Sequence, residues 1–233
     1  MQKARQPTAD NGQLYKDILQ WEIRSWSRAL PFWEKHIRVD RPLKALGIGE
    51  REGGLSLWLA SKGIDVTCTD LHSFPPGTRD LHLRYGVSDR ITYAQADATA
   101  LQFPDRSFDL VFFKSVIGAL GSKEAQKKAI DEMHRVLKPG GKLLFAENLH
   151  GSPLHRWLRK RFVAWDSYWR YLDPIEDRDL FKTFSFFDQR TTGFIANLGR
   201  SEAQRDLLAR LDLILLPLVP IRQRTILYGV GVK

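Results

Sequence analysis

Between residues 43 and 148, short apolar runs alternate with stretches whose apolar residues recur at helical spacing. The strand-like runs are LKALGI, IDVTCTD, ITYAQAD, FDLVFFK and GKLLFAEN. The helical stretches include EGGLSLWLASKG and KEAQKKAIDEMHRVLK. Because strands that alternate with helices build a parallel sheet with helices on both faces, this pattern predicts an α/β fold. In such a sheet, ligands bind beyond the carboxyl ends of the strands.

The segments that flank this region have other patterns. Residues 1–11 are polar, and we expect them to be flexible. Residues 12–40 carry apolar residues at helical spacing, which predicts N-terminal helices that meet near Pro31. Late in the chain, TFSFFDQRTTGFIA and RTILYGVGVK are strand-like, and pairing them would close the sheet antiparallel. Residues 150–182 are long, basic and aromatic, and we interpret them as a lid or acceptor-binding insertion in a single domain spanning 1–233.

The stretch KALGIGEREGGLSLWLASKGIDVTCTDLH, residues 44–72, has the outline of a nucleotide-binding βαβ unit. Gly47 and Gly49 begin the G-x-G-x-x-G pattern of dinucleotide-binding loops, but Glu52 occupies the position of the third glycine. Asp70 ends the second strand, where a carboxylate can accept both hydroxyls of a ribose. Asp70 therefore indicates a nucleoside without identifying which one.

In a second register, the loop resembles the first motif of class I S-adenosylmethionine-dependent methyltransferases. That motif reads roughly acid-x-Gly-x-Gly-x-Gly and is followed after five residues by Leu-Ala. Counting back from residues 59–60 places the first and last motif glycines at Gly49 and Gly53. Arg51 stands in place of the middle glycine, which leaves close backbone approach to the other two. Gly47 stands in place of the acid that helps to arrange the loop and the amino-acid end of the cofactor.

Two further segments resemble the same family. QADATALQFPDRSFDLVFFKSV, residues 95–116, is similar to its third-to-fourth-strand segment, and there Asp97 takes the position of an acid that meets the adenine amino group. HRVLKPGGKLLFAE, residues 134–147, is similar to the helix, turn and strand that lead into its fifth strand. The resemblance implies a Rossmann-like sheet of seven mostly parallel strands with a reversed last strand and helices on both faces. It also implies S-adenosylmethionine as the cofactor and S-adenosylhomocysteine as the product.

We assign ten residues to the cofactor from these motifs and their neighbours at the strand ends. They are Gly49, Glu50, Arg51, Gly53, Asp70, Leu71, Asp97, Ala98, Lys114 and Ser115. Among the tryptophans, we assign Trp21 and Trp33 to packing and take Trp26, with Arg24 nearby, as a candidate for the cleft.

Methyl transfer to an alcohol requires a group that removes the proton of the alcohol. His150 and Glu147, just after the fifth strand, are the candidates: His150 as the base, and Glu147 as an orienting group or substrate ligand. The alternatives are that Glu147 ties down loops and that His150 is a surface residue. No group of His, Cys, Asp and Glu residues has metal-ligand spacing, so we predict no metal.

Composition limits the compartment and the partners. A single cysteine, Cys68, suits a reducing environment. MQKARQPTADNG lacks the apolar core of a secretory signal, and LILLPLVPI is too short to span a bilayer, so we expect a cytoplasmic protein. The formal net charge of +9 favours anionic partners. RNA is one such partner, although no RNA-binding motif is visible.

Residues 154–171 combine an apolar helical face with clustered cations, a pattern typical of a helix at an anionic membrane surface. The apolar residues are Leu154, Trp157, Leu158, Phe162 and Trp165, and the cations are Arg156, Arg159, Lys160 and Arg161. An ordinary lid with solvated arginines is the alternative.

The N-terminal helices and the loop together also look like a narrower group, small bacterial methyltransferases associated with surface-polysaccharide synthesis. That resemblance implies O-methylation of a sugar hydroxyl on a surface glycan or lipid-linked precursor, at the inner face of the membrane. The alternatives are an RNA or small-molecule methyltransferase, or a methyltransferase-like scaffold without catalysis.

Overall fold

The computed structural model describes residues 11–233, except for the side chains of Asn11 and Trp165. Apart from the backbone of Asn11, the segment expected to be flexible therefore lies outside the described residues. A seven-stranded sheet in the order β3-β2-β1-β4-β5-β7-β6 forms the centre of the fold. Its strands are β1 Lys44–Gly47, β2 Asp65–Asp70, β3 Ile91–Gln95, β4 Phe108–Lys114, β5 Leu137–Asn148, β6 Phe186–Thr192 and β7 Ile226–Val232.

Strands β1 to β5 run parallel, and β7 runs antiparallel to both of its neighbours, β5 and β6. This arrangement confirms the predicted mostly parallel sheet and the antiparallel pairing of the two late strands. The strand order reverses at β1, which pairs with β2 on one side and β4 on the other. The carboxyl ends of β1 and β4 therefore border the crevice in which such sheets bind ligands.

Helices cover the sheet on both faces. They are α1 Asn11–Leu19, α2 Ile23–Trp26, α3 Ala29–Glu34, α4 Gly54–Ala60, α5 Thr78–Arg84, α6 Lys123–Val136, α7 Pro153–Phe162 and α8 Glu202–Leu215. The central strand β4 has buried side chains from Phe108 to Phe113, with Phe112 in the core on one face and Phe113 in the core on the other. Apart from Asp109, these side chains are apolar, and such a buried run is typical of a parallel strand covered on both sides.

The N-terminal segment forms three helices with two breaks, of which the first was not predicted. Gln20 and Glu22 adopt positive φ angles of 71° and 46°, and the chain turns there between α1 and α2. A second break, at Ser27–Arg28 between α2 and α3, lies three residues before Pro31, near which the helices were predicted to meet. Pro31 itself lies in the first turn of α3, where the lack of an N–H group costs no hydrogen bond. Trp33 packs against the sheet as predicted, and its Nε1 donates to the carbonyl oxygen of Gly229 at 3.0 Å.

None of the helices described in residues 11–233 is long and apolar enough to cross a membrane. The predicted lid region, residues 150–182, contains α7 and two short 3-10 turns, so the helical face predicted for residues 154–171 ends with α7 at Phe162. It returns to the carboxyl edge of the sheet, where the backbone N–H of His150 donates to Leu172 O at 3.2 Å.

Candidate cofactor and acceptor site

The loop between β1 and α4 requires three residues with left-handed backbone angles. Gly49, Arg51 and Gly53 have φ angles of 61°, 46° and 74°. Gly49 also has no room for a side chain, since a Cβ atom there would lie 2.8 Å from Cγ2 of Val116. Arg51 is the one residue of the three with a Cβ atom, which costs about 1–2 kcal/mol in this conformation. The loop thus keeps its close approach to the end of β4 at Gly49.

Asp70, at the end of β2, holds this loop. Its carboxylate oxygens accept the backbone N–H of Arg51 at 2.9 Å and that of His72 at 3.0 Å. Each carboxylate oxygen can accept more than one hydrogen bond. Asp70 therefore keeps acceptor capacity that fits the two hydroxyls of a ribose.

The side chain of Glu50 packs, together with that of Phe112, against the position of Gly47. A Cβ atom built on Gly47 would lie 2.8 Å from Cγ of Glu50. The buried carboxylate of Glu50 accepts the backbone N–H of Ser56 at 2.7 Å, in the first turn of α4. Burial raises the pKa of Glu50 to about 7, against the lowering effect of the bonds to Ser56. Glu50 thus places a buried carboxylate between the end of β1 and the first turn of α4.

Lys114 ends β4 as a partly exposed residue, but its Nζ atom is buried beneath the N-terminal segment. Its Nζ lies 3.2 Å from the ring centroid of Trp21 and 4.9 Å from that of Trp26. Within the described part of the chain, this Nζ has no hydrogen-bond partner. Burial lowers the pKa of Lys114 to about 7, although the carboxylates of Glu50, Glu147 and Glu22 favour its charged form. A buried ammonium without a partner fits an anionic ligand group, such as the carboxylate of a bound amino acid.

Trp26 lies where it was expected from the sequence, whereas Trp21 makes a contact beyond the packing role that we assigned to it. Trp26 is buried and borders the cleft through Lys114, as expected of a cleft candidate. Trp21, which we assigned to packing alone, presents its face to Lys114. Arg24 points away from the cleft and forms an exposed ion pair with Asp206 on α8.

Glu147 connects the ends of β4 and β5. Its carboxylate accepts the backbone N–H groups of Val116 at 2.8 Å, Gly118 at 3.3 Å and Asn148 at 2.8 Å. Burial raises the pKa of Glu147, and these hydrogen bonds oppose the rise. With its oxygens engaged by backbone donors, Glu147 fits the alternative role of tying down loops.

His150 follows β5 at the same edge and is half-buried. Its ring centroid lies 6.0 Å from that of Tyr171 in the lid region. Burial lowers the pKa of His150, and the nearby charge of Arg156 adds to this effect. The imidazole is therefore neutral at neutral pH and can accept a proton. Arg159 donates from Nη1 to the carbonyl oxygens of Leu149 at 2.8 Å and His150 at 2.9 Å, so this arginine is not one of the solvated cations of the segment.

The remaining assigned residues lie around the same edge. Asp97 is exposed, and its Oδ1 accepts from the backbone N–H and the hydroxyl of Thr99, which lowers the pKa of Asp97. Ala98 beside it is buried, whereas Leu71 is exposed after β2. Ser115 has a positive φ of 58°, and its hydroxyl accepts from Nδ2 of Asn148 at 2.7 Å.

Two residues that contact the loops of the site, His82 and Trp169, were not predicted from the sequence to do so. His82 is buried on α5, and its imidazole contacts the carbonyl oxygen of Gly53 at 2.8 Å and the hydroxyl of Tyr93 at 2.6 Å. Trp169 covers the turn after β4, because a Cβ atom on Gly118 would lie 2.0 Å from its Nε1. His82 occupies an ordinary position in a helical pattern, so no sequence signal distinguished it. Among the residues that the structure describes, no group of three or more His, Cys, Asp or Glu side chains could hold a metal ion.

The central region of the chain matches a known family of protein domains. Residues 46–145 match the family model described as a methyltransferase domain. The chain is 36% identical over 138 residues to the ubiquinone/menaquinone biosynthesis C-methyltransferase UbiE of Shewanella sp. (strain W3-18-1), and the match covers 55% of this chain and 53% of that protein. The corresponding protein of Shewanella frigidimarina is 33% identical over a match of the same extent. The chain thus spans about half the length of the curated relatives it matches.

Solved structures share the fold. Phosphoethanolamine N-methyltransferase 2 of Haemonchus contortus, in complex with S-adenosyl-L-methionine, superposes with a TM-score of 0.64 at 23% identity, covering 98% of this chain and 58% of that one. The [4+2]-cyclase SpnF superposes with a TM-score of 0.61 at 17% identity, covering 89% of this chain and 80% of that one. Because one of these neighbours is described as a methyltransferase and the other as a cyclase, the fold alone does not identify a reaction.

Proposed function

Because this chain belongs to the class I S-adenosylmethionine-dependent methyltransferase superfamily, we propose that it transfers a methyl group from S-adenosylmethionine to an acceptor hydroxyl. The matched domain and the sheet order confirm the predicted family and fold. The observation that carries an acceptor that loses a proton on methylation, as a hydroxyl does, is His150, which is half-buried at the carboxyl edge of β5 and has a lowered pKa.

The residues at this edge fit the cofactor. Asp70 would accept the ribose hydroxyls, and Gly49 and Gly53 would allow the backbone of the loop to approach it. Lys114 would hold the carboxylate of the methionine part, because its buried Nζ lacks another partner among the described residues. Asp97 would face the adenine amino group. When bound, S-adenosylmethionine supplies a methyl group made electrophilic by the positive charge of its sulfonium.

His150 would act as the general base. As the acceptor oxygen takes the methyl group, its proton passes to the imidazole, and the products are a methyl ether, S-adenosylhomocysteine and protonated His150. Burial and Arg156 lower the pKa of His150, which favours release of that proton to water before the next turnover. Glu147 would position the loop after β4 through Val116 and Gly118 rather than accept the proton.

The proposed acceptor is a sugar hydroxyl on a surface glycan or on its lipid-linked precursor. Helix α7 begins three residues after His150, and its exposed side chains support this choice. Leu154, Trp157 and Phe162 are large apolar side chains that face solvent. Arg156, Lys160 and Arg161 are also exposed and form no ion pair within residues 11–233 as described. Aromatic and cationic side chains on one short helix suit an anionic membrane surface, from which a lipid-linked acceptor would reach His150.

A carbon acceptor is the second candidate, because the curated relatives are named C-methyltransferases. A carbon acceptor also loses a proton on methylation, so His150 would serve either reaction. The two differ in the product, which contains a methyl ether in one case and a new carbon–carbon bond in the other.

The experiment is to incubate the full chain with methyl-labelled S-adenosylmethionine and separate glycolipid, glycan and RNA fractions of a bacterial extract. The label is expected in the glycolipid or glycan fraction, as an O-methyl sugar identified by mass spectrometry after hydrolysis. Label found in RNA alone, or in a carbon–carbon bond of the lipid part, would contradict the proposed acceptor.

A further inference from the structure

Helix α8 presents part of its apolar side chains to solvent, whereas Leu208 and Leu215 are half-buried and Leu216 at its end is buried. Leu207, Leu211 and Ile214 lie on it at spacings of four and three residues, and Leu218 continues the same spacing in the following turn. All four are exposed, Ile214 by 73% and Leu218 by 84%. These four residues are called the α8 stripe below. A contiguous exposed apolar patch of this kind marks a surface that another body covers.

Polar contacts on the inner face fix the rotation of α8. The buried carboxylate of Asp212 accepts the backbone N–H groups of Phe194 at 2.8 Å, Ile195 at 2.9 Å and Ala196 at 3.2 Å. At the first turn, Glu202 accepts the N–H of Glu22 at 2.9 Å. Turning the stripe inward would leave a buried carboxylate and three N–H groups without partners, which is costly. The stripe is thus held outward by the packing of its own helix.

Helix α7 packs against the same turn, residues 194–196, that Asp212 binds. The ring of its buried residue His155 lies 5.7 Å from that of Phe194, within the turn that Asp212 caps. Leu198, in the next 3-10 turn, is also exposed. The exposed cations and aromatic residues of α7 and the α8 stripe therefore flank one turn of the chain.

Charge and composition favour a membrane as the body that covers the α8 stripe. The first ten residues, MQKARQPTAD, have too few apolar side chains to cover four leucine-sized residues. A second copy would bring another net charge of +9, including the exposed Arg156, Lys160 and Arg161 of its own α7. A bilayer with anionic lipids offers both an apolar interior for the stripe and a counter-charge for the cations.

We propose that the α8 stripe inserts into the surface of an anionic membrane, next to the electrostatic contact of α7. This inference extends the proposed function, since it gives the lipid-linked acceptor its route to the site. Membrane binding itself needs neither cofactor nor acceptor. The stripe would supply the apolar contribution to the binding free energy, which salt does not screen. The cations of α7 would supply the electrostatic contribution, which salt weakens.

The experiment measures binding of the full chain to vesicles of phosphatidylcholine with phosphatidylglycerol, without cofactor or acceptor. The wild-type protein is expected to bind, and Ile214→Gln/Leu218→Gln to bind about tenfold more weakly or worse, because burial of each apolar side chain favours the bound state. The matched control is Leu83→Gln/Val39→Gln, which changes two exposed apolar residues outside α7 and α8. The control is expected to bind like the wild type.

The second part of the experiment compares vesicle binding at low and at high salt. Arg156→Gln/Lys160→Gln/Arg161→Gln should bind more weakly at low salt and match the wild type at high salt, whereas the stripe variant stays weaker in both. Equal vesicle binding by the stripe variant and the control overturns the inference. So does a wild-type dimer in ultracentrifugation that the stripe variant dissociates, with no vesicle binding by either. Vesicle binding without O-methyl products would refute the proposed acceptor and leave this inference intact.

Discussion

The Nζ atom of Lys114 lies 3.2 Å from the centroid of the Trp21 ring, in a buried position where no described residue accepts a hydrogen bond from it. Attraction to an aromatic face stabilises a desolvated cation by about 2 kcal/mol. That contribution is smaller than the cost of burying the charge, as the lowered pKa of Lys114 indicates. The position is therefore suited to a ligand that brings its own negative charge.

Replacing Lys114 with methionine should weaken binding of S-adenosylhomocysteine about tenfold or more, because a hydrogen bond to a charged group contributes about 1.5–3 kcal/mol. Thermal unfolding should be unchanged or shifted upward, since the variant buries no charge. The matched control is Lys142→Met, a partly buried lysine near the other end of β5. Equal affinity of wild type and Lys114→Met by calorimetry would exclude Lys114 from cofactor binding.

The same lysine predicts how cofactor affinity depends on pH. In the free protein the pKa of Lys114 is about 7, and a bound carboxylate would raise it. Binding therefore takes up a proton above pH 7, and affinity should be greatest below pH 7 and fall as pH rises toward the raised pKa. Calorimetry in two buffers of different ionisation enthalpy measures this uptake. It should disappear in Lys114→Met, and a proton uptake that persists in the variant would point to another group.

Glu50→Gln tests the buried carboxylate beside Gly47. The pKa of Glu50 is raised from 4.5 to about 7, so the folded protein binds a proton more tightly than the unfolded chain does. The wild type should lose stability as pH rises from 4.5 to 7, by on the order of 3 kcal/mol relative to Glu50→Gln. Urea unfolding of both proteins at pH 4.5 and 7 measures the difference. A constant difference between them would contradict the raised pKa.

Arg51→Gly separates the backbone of the loop from its side chain. Glycine tolerates the φ of 46°, and the backbone N–H that Asp70 accepts is retained. We therefore expect unchanged or greater stability and unchanged cofactor affinity. The exposed guanidinium is expected to contact an anionic acceptor, so the KM for the acceptor should rise. Identical kinetics of variant and wild type toward both substrates would leave Arg51 without a role in binding.

His150→Gln tests the proposed base. The rate of methyl transfer should fall by about 10²–10⁴-fold, the usual contribution of a general base, while the affinity for S-adenosylhomocysteine is retained. Because the pKa of His150 is lowered, the wild-type rate should stay constant down to below pH 6.5 and then fall as the imidazole is protonated. His134→Gln is the control, since His134 lies in the last turn of α6. A wild-type rate in His150→Gln would exclude it as the base.

The parts of the fold that the sequence predicts are those set by local patterns. The alternation of strands and helices, the glycine positions and Asp70 at the end of β2 depend on periodicity and on spacing along the chain, and the structure bears them out. The break at Gln20–Glu22 was missed because both residues adopt positive φ without being glycine. Pro31 gave the stronger local signal, although it fits within the first turn of α3.

Long-range contacts account for what the sequence could not predict. Glu50 contacts Gly47 only because its side chain turns back toward β1. Trp21 meets Lys114 across 93 positions of the chain, and no periodicity links the two. The leucine spacing of α8 resembles that of a core-facing helix, but Asp212 requires the opposite face to be buried. In each case a tertiary contact determines the role of the residue.

The central claim is that the loop held by Asp70 binds S-adenosylmethionine and not a dinucleotide. Titration calorimetry of S-adenosylhomocysteine and NAD into the wild type, Asp70→Ala and the control Asp65→Ala tests it most directly. Asp65 begins the same strand in an exposed ion pair with Arg90, so its loss should leave the cleft intact. We predict binding of S-adenosylhomocysteine but not NAD to the wild type and the control, and at least tenfold weaker binding to Asp70→Ala, because contacts to the charged carboxylate contribute about 1.5–3 kcal/mol each. Binding of NAD by the wild type, or undiminished affinity for S-adenosylhomocysteine in a folded Asp70→Ala variant, would contradict the account.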